Sequence, residues 1–207
     1  MGKAEDNKRK KRESLLKQAY DLFIMNGISN TSIAQIAERA GVGKGTFYSY
    51  FTDKDELIDR LTAQKAEGLL ITAVEELKKR EAAAADADTT MSAEDKIIAM
   101  CDILITELDK DPKLLRFLNK RLNLGFYKKA YNRDDFLGHL DIRQLYLGML
   151  GADGAQWKDP ALMLYTIVEM TGSTIHTVII NSDPVSLEEY KPILFDCIRS
   201  VMQVFKK

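Results

Sequence analysis

The sequence is poor in the residues from which metal sites, disulfide frameworks and many active sites are built. Its 207 residues include two cysteines, two histidines and one tryptophan. Cys101 and Cys197 lie in apolar helical runs, which is typical of reduced, buried thiols rather than of a disulfide framework or a zinc site. His139 and His176 have no convincing catalytic or ligand motif around them. We therefore expect no catalytic residues, no metal and no cofactor.

Long uncharged hydrophobic runs and strand patterns are also absent. No charge-free run reaches the ~18 residues that a membrane-spanning helix needs, and the charged N-terminus lacks the apolar segment of a signal peptide. Alternating apolar and polar residues joined by hairpin turns do not occur. Because 45% of the residues are hydrophobic, the chain can still form a real core. These features predict an all-α, cytoplasmic protein without a membrane partner.

The segment around Lys44 superficially resembles a phosphate-binding P-loop, which needs Gly, four residues, Gly, Lys and then Ser or Thr. Here Glu38 occupies the position of the first glycine, and Gly45 follows Lys44 where the hydroxyl residue belongs. The strand that should precede a P-loop is missing as well. The segment therefore does not predict nucleotide chemistry.

The charge distribution favours a nucleic-acid partner although the net charge is only −1. Residues 1–52 hold nine Lys or Arg against five Asp or Glu, and the remainder holds 21 against 26. Most of the N-terminal excess lies in residues 8–12, which read KRKKR. A basic arm ahead of a DNA-binding motif is an electrostatic footprint for phosphate, and we expect it to be a solvated tail that orders on DNA.

Residues 32–57 have the pattern of a helix-turn-helix. Ser32 and Gln35 fit a capping box that opens a short helix, and Gly41 fits the turn after it. A second short helix, about residues 43–50, places Phe47 and Phe51 on one side and small, basic and phenolic residues on the other. Gly45 is a poor helix former, which indicates that another molecule approaches the backbone there. Such a pair of helices can dock in a DNA groove.

The same stretch resembles the DNA-binding domain of the TetR family of bacterial regulators. The resemblance runs from LLKQAYDLFIMNG (residues 15–27) through TSIAQIAERAGVGKGTFYSYF (31–51) to DKDEL (53–57), about a quarter of the chain. It implies a DNA-binding domain at residues 1–52 and a helical ligand-binding and dimerisation domain at residues 53–207. Gly43 departs from the family, which more often has a hydroxyl residue there. The residues that the resemblance places against DNA are Ser32, Gly43, Lys44, Gly45, Thr46, Tyr48, Ser49, Tyr50 and Lys54.

The rest of the chain reads as helices with short breaks, giving about nine in all. Asp53 and Glu56 open a helix of about 25 residues, and residues 81–90 read as its frayed end and a loop. Capping residues or proline open further helices at Ser92, Asp111, Pro160 and Ser186. A helix is also predicted over residues 136–150.

The last two predicted helices, about residues 161–180 and 187–205, are apolar on more than one face. A helix that is apolar all round is buried on most sides. We therefore expect two such helices from each of two subunits to form a four-helix interface about a two-fold axis. Val178 is our predicted interface position. A homodimer of this kind would read a palindromic operator in double-stranded DNA.

Polar or aromatic residues on otherwise apolar helices are candidates for a ligand pocket. Met and His at such positions more often fill a core. Glu169 is the more suggestive residue because an unpaired buried carboxylate is costly; it could meet a cationic ligand, or Arg199 or a lysine across the interface. The candidates are Tyr127, Tyr131, His139, Tyr146, Met163, Tyr165, Glu169, Met170, Thr174 and His176.

These observations predict a homodimeric, TetR-like transcriptional repressor that a small-molecule effector releases from its operator. The alternative is a helix-turn-helix adaptor controlled by a protein partner, with no small-molecule ligand. The sequence identifies neither the ligand nor the operator.

Overall fold

A computed structural model describes residues 2–119, 121, 140–151 and 156–207. The described residues form nine helices, and the predicted all-α fold is confirmed. The helices are α1 (Lys3–Asn26), α2 (Ile33–Arg39), α3 (Lys44–Tyr48), α4 (Lys54–Asp86), α5 (Ala93–Lys110), α6 (Pro112–Leu118), α7 (Ile142–Leu150), α8 (Pro160–Asn181) and α9 (Leu187–Phe205).

The chain divides into two compact units, residues 1–64 and residues 65–207. Our predicted domain boundary lay between residues 52 and 53, ahead of α4. The compact units instead divide within α4, so that the first part of this helix packs with the helix-turn-helix and the remainder packs with the second unit.

The basic arm is helical, because α1 begins at Lys3 and includes residues 8–12. This differs from the predicted solvated tail. Asp6 accepts a hydrogen bond from Arg9 at 2.7 Å and pairs with Lys10 at 2.9 Å, at the i,i+3 and i,i+4 spacings that stabilise a helix. Glu5 and Asp6 also lie in the first turn, where negative charge interacts favourably with the positive end of the helix dipole.

The core of the first unit forms from one stripe of α1, the inner faces of α2 and α3, and the first turns of α4. Thr31 is buried in the loop between α1 and α2, and its hydroxyl donates to the carbonyl of Gly27 at 2.9 Å. The buried apolar side chains are Leu15, Leu16, Ala19, Leu22, Phe23, Ile36, Ala37, Phe47, Phe51, Leu57, Ile58, Leu61 and Ala63.

Helix α4 has 33 residues and is longer than the 25 predicted. The predicted frayed segment contains four consecutive alanines, residues 82–85, and alanine has the highest helix propensity. The helix therefore continues to Asp86, and the chain turns at Asp88 with a positive φ of 53°.

Helix α7 begins at Ile142, since Leu140 and Asp141 are not helical, and the first four residues of the predicted helix, 136–139, lie outside the described residues. The carboxylate of Asp141 accepts a hydrogen bond from the amide of Gln144 at 2.9 Å and caps the helix. The predicted capping box at Ser32 and the predicted cap at Ser92 are confirmed, and both Ser92 and Ser186 open their helices with a capping box.

The core of the second unit is built from α4, α5, α6, α7, α8 and α9. Three of its helices are also joined by polar contacts. Lys191 of α9 donates to Asp102 of α5 at 2.8 Å and to Thr106 at 2.8 Å, and Arg80 of α4 donates to Asp102 at 3.1 Å. The largest fully buried side chains among the described residues of this unit are Tyr146, Ile105, Leu150, Met163 and Leu194.

Helices α8 and α9 pack against each other and contribute both to the core and to the surface. Val178, our predicted interface position, is only 2% exposed and lies in the core of its own chain, so that prediction was wrong. Helix α8 is also long and apolar enough to cross a membrane by length and composition alone, with Glu169 in its middle. One such helix is weak evidence for a membrane span.

Candidate nucleic-acid interface

Helix α2 begins with a reciprocal cap. The Ser32 hydroxyl oxygen accepts from the Gln35 amide at 3.2 Å, and the Ser32 amide donates to Oε1 of Gln35 at 2.8 Å. The Ser32 hydroxyl also donates to the same Oε1 at 2.9 Å. The side chain that the resemblance places against DNA is therefore oriented by the helix that it starts, and it stays exposed.

A tight turn joins α2 to α3. Gly41 has a φ of 70°, in the left-handed region that favours glycine. The amides of Gly41 and Val42 donate back to Glu38 and Ala37 at 3.0 and 2.9 Å, which satisfies the last carbonyls of α2. This turn fixes where α3 begins.

The short helix α3 has one buried and one exposed side, as the spacing predicted. Phe47 and Phe51 are 0% and 1% exposed, with ring centroids 5.5 Å apart. Tyr48 is 51% exposed, and its ring meets Phe47 edge-on at 5.4 Å. Two phenyl rings thus anchor α3 in the core and leave the phenol of Tyr48 in solvent.

The outer side of α3 carries small and cationic residues. Lys44, Gly45 and Ser49 are exposed, while Thr46 and Tyr50 are half-buried. Within the described residues, no hydrogen bond or ion pair engages the Lys44 ammonium group. A Cβ atom added at Gly43 or Gly45 would meet no atom within 4 Å, so the described part of the fold requires neither glycine for space. The two glycines instead leave the α3 backbone open to a docking partner.

Lys54 has a structural role that the sequence did not indicate. Its ammonium group donates to the carbonyls of Ile28 and Thr31 at 3.0 and 3.1 Å. These carbonyls belong to the loop between α1 and α2, so Lys54 ties the start of α4 to that loop. Two of its three N–H groups are thereby used inside the unit.

The junction between α3 and α4 is fixed by a carboxylate. Oε2 of Glu56 accepts from the amide and the hydroxyl of Thr52 at 2.8 and 2.9 Å. These hydrogen bonds, first that of the backbone amide, hold the pKa of Glu56 below its ordinary value. Asp53 accepts from the Glu56 amide at 2.7 Å and completes the helix start. The position of α3 is therefore fixed at both ends.

The predicted ligand residues that the structure describes lie on two faces of the second unit. Tyr146 and Met163 are 1% and 0% exposed in the core, and Met170 packs against that core. Thr174 uses its hydroxyl within α8, on the carbonyls of Met170 and Thr171. At about 100° per residue, Tyr165, Glu169 and His176 share the opposite side of α8 with Leu162, which is 49% exposed. Tyr127, Tyr131 and His139 lie outside the described residues.

The carboxylate of Glu169 forms no hydrogen bond or ion pair with the part of the chain that the structure describes. Arg199, which we considered as its partner, pairs with Asp196 at 2.9 Å. In the same part of the chain, no group of three or more His, Cys, Asp or Glu could hold a metal ion.

The sequence predicted a second apolar face on α9 without naming its residues, and the structure shows an exposed row there. Ile193 and Val204 are 57% and 69% exposed, and Cys197 and Ser200 are exposed between them. Their spacing of four, three and four residues is that of a helix that packs along another helix. The sequence contains this spacing, but α9 has a second apolar row, formed by Leu194, Ile198 and Met202, which fills the core. Spacing alone does not show which of the two rows is exposed.

Known proteins match both the motif and the fold. The TetR_N family, bacterial regulatory proteins of the tetR family, matches residues 15–61. The uncharacterized HTH-type transcriptional regulator YvdT of Bacillus subtilis is 34% identical over 101 residues, which are 49% of this chain and 48% of that relative. This chain thus aligns with about half the length of YvdT. The fatty acid metabolism regulator protein of the same bacterium is 22% identical over 189 residues, 82% of this chain and 97% of the relative.

Solved structures share the fold over most of the chain. The regulator FadR from Bacillus subtilis in complex with stearoyl-CoA has a TM-score of 0.62 at 21% identity, covering 91% of this chain and 98% of that one. A TetR transcriptional regulator from Rhodococcus sp. RHA1 has a TM-score of 0.66 at 18% identity, covering 95% and 97%. These identities show the fold alone. Residues 15–61, which contain the helix-turn-helix, are similar to the tetR family of bacterial regulatory proteins, and the solved structures that share the fold include a TetR transcriptional regulator.

Proposed function

We propose that this chain is a homodimeric, cytoplasmic transcriptional repressor that leaves a palindromic operator when a small molecule binds its second unit. The observation that carries the proposal is the outer side of α3. Lys44, Gly45 and Tyr48 are exposed there and contribute little to the core of their own chain. Two phenyl rings meanwhile hold the helix firmly from behind. A short, rigid helix with exposed donors and an open backbone suits the major groove of DNA.

The α9 row supports the dimer. Ile193, Cys197, Ser200 and Val204 form one narrow seam, and the exposed Leu162 belongs to neighbouring α8. Apolar side chains left in water at a packing spacing favour a partner helix. A second copy of the chain would supply the same row, as a two-fold interface requires. Tyr165, Glu169 and His176 then belong beside the subunit interface and are poor candidates for a pocket inside one chain.

The core-facing candidates support an apolar effector. Tyr146 and Met163 belong to a core cluster whose members are mostly aliphatic. A pocket opened there would have apolar walls with few polar groups, the usual form of a ligand site. The related fatty acid metabolism regulator and the FadR complex with stearoyl-CoA point to the same chemistry. We therefore assign the effector to the class of long-chain acyl compounds.

Release is proposed to act through α4, which is one continuous helix from Lys54 to Asp86. Its start is tied to the reading unit through Lys54 and Glu56. The two reading helices of a dimer must lie roughly 34 Å apart, or a multiple of that distance, to enter successive major grooves. A shift of α4 by a few ångströms would break this match, provided that the effector binds one conformation better than the other.

Linkage provides the test of ligand release. Stearoyl-CoA and free stearate are titrated into the purified protein by calorimetry, with and without saturating operator DNA. A repressor released by the ligand must bind it more weakly on DNA, by the same factor by which the ligand weakens DNA binding. Equal affinity in both titrations would refute ligand release. Specific DNA binding with no stabilisation by apolar or cationic metabolites in a thermal-shift screen would favour the adaptor controlled by a protein partner.

A further inference from the structure

The N-terminal half of α1 protrudes from the body of the first unit. Every residue from Asn7 to Glu13 is exposed, whereas Leu15 and Ala19 are fully buried. The Ser14 hydroxyl lies 3.4 Å from the carbonyl of Ala40, at the end of α2. The exposed turns of α1 therefore lie N-terminal to the point where this helix contacts the end of α2. At 1.5 Å per residue, Lys8 lies about 9 Å beyond Ser14 along the helix axis.

The cations of this arm fall into two groups. Arg9 and Lys10 both pair with Asp6, which they straddle on the helix surface. These pairs hold the pKa of Asp6 below its ordinary value, with the Arg9 hydrogen bond as the largest cause. Lys8, Lys11 and Arg12 are exposed, and in the described part of the chain none of the three forms an ion pair.

The second group continues the core stripe of α1. Positions 8, 12, 15, 19 and 22 follow one another at spacings of four and three residues, which places them on one side of the helix. The last three are Leu15, Ala19 and Leu22, and they pack into the body. Lys8 and Arg12 thus project on the side of α1 whose later residues pack into the body, and Lys11 lies roughly 60° from Lys8, toward Ser14 and the end of α2. Arg9 and Lys10 lie roughly 100° and 160° away from Lys8 around the helix.

We infer that Lys8 and Arg12, with Lys11 beside them, form a second DNA contact that grips backbone phosphates next to the groove that α3 occupies. This inference rests on the proposed DNA-binding function and adds a named surface to it. Exposed cations on a rigid helix match phosphates in charge and need no ordering when DNA binds, unlike a disordered tail. The contact carries no base specificity, since phosphates position a protein without specifying sequence.

The arm allows a closely matched experiment. The double variant Lys8→Ala/Arg12→Ala removes one lysine and one arginine from the stripe side. The control Arg9→Ala/Lys10→Ala removes the same residue types, and the same charge, from the Asp6 side. Alanine suits the helix at all four positions. Circular dichroism of the full-length variants checks that both remain folded. Affinity for the operator duplex is then measured between about 50 and 200 mM salt, the range in which phosphate contacts dominate.

We expect the stripe variant to lower the slope of log affinity against log salt by about two units per bound subunit, and to weaken binding roughly tenfold or more. The control should change the slope by less than half as much. Equal changes of the salt slope in both variants would mean that only the total charge of the arm matters, and would overturn the inference. Unchanged binding by the stripe variant would also overturn it, with the proposed function intact. A wild-type protein that protects no DNA specifically would refute the proposed function itself.

Discussion

The α9 row gives a prediction whose magnitude follows from the structure. Replacing Ile193 with Glu should split the dimer with little effect on the fold, because 57% of this residue is already exposed in one chain. Roughly half of the 1.5–3 kcal/mol that full burial of an isoleucine provides is therefore left for the interface, about 1 kcal/mol per subunit. Both subunits change, so about 2 kcal/mol of apolar contact is lost.

The introduced charge adds to that loss. An unpaired carboxylate buried in an interface costs several kcal/mol. Together the two effects exceed about 4 kcal/mol, which corresponds to a thousandfold or greater increase in the dimer dissociation constant. Sedimentation equilibrium at micromolar concentration should then show a monomer for Ile193→Glu and a dimer for the unmodified protein.

A matched control is available on another helix. Ile71 of α4 is 42% exposed, so Ile71→Glu makes the same chemical change at a similar exposure away from the α9 row. We expect this variant to remain dimeric. Cys197 gives a second measurement, because its exposed thiol lies in the row while burial raises the pKa of Cys101 to about 12 and keeps that thiol unreactive. A thiol reagent should therefore modify Cys197 slowly in the dimer and quickly in Ile193→Glu. A monomeric unmodified protein, or a dimeric Ile193→Glu, would refute the reasoning.

Four further predictions concern the reading unit and the second core. Lys44→Ala should lower the salt slope of operator binding by about one unit without changing thermal stability, since its ammonium group is free of contacts in the described residues. Lys54→Met should lower the free energy of unfolding by about 1–3 kcal/mol, because two charged hydrogen bonds are lost, and should leave the salt slope of operator binding unchanged. A lower salt slope with unchanged stability would show instead that Lys54 contacts phosphate. Gly45→Ala should stabilise the protein by about 0.5–1 kcal/mol, since a Cβ there meets nothing, and should weaken DNA binding; unimpaired binding would mean that DNA does not approach this backbone. Burial raises the pKa of Asp102, but hydrogen bonds from Lys191 and Arg80 outweigh burial and leave the pKa below its ordinary value. The stability that the ionised Asp102 provides above about pH 4 should therefore be lost as the pH falls further. Urea unfolding should show a smaller loss of stability in that pH range for Asp102→Asn than for the unmodified protein.

Local signals in the sequence were enough to place most helices. Capping residues and apolar spacing gave the start of α2 and the buried side of α3, because these features depend on neighbours within four residues. The start of α7 was missed because the apolar pattern continues upstream of the true cap, Asp141. The helical arm was missed because a run of like charges reads as disordered unless the pairs of Asp6 with Arg9 and Lys10 are considered.

Contacts between segments that are distant in the sequence could not be predicted from these local signals. The tie from Lys54 to the loop at Ile28 spans 26 residues, and no local pattern distinguishes this lysine from one that faces DNA. Val178 was assigned to the wrong surface for a similar reason. Composition showed that α8 is apolar on several sides, but only packing shows which side meets its own chain.

The most direct test of the central claim is a footprint on the DNA that flanks the gene of this protein. We expect the purified protein to protect two half-sites related by two-fold symmetry, with centres one or more DNA turns of roughly 34 Å apart. Lys44→Ala and Tyr48→Ala should each weaken that protection while the protein stays folded. The account would be contradicted if no sequence were protected, or if both variants protected the same half-sites as strongly as the unmodified protein.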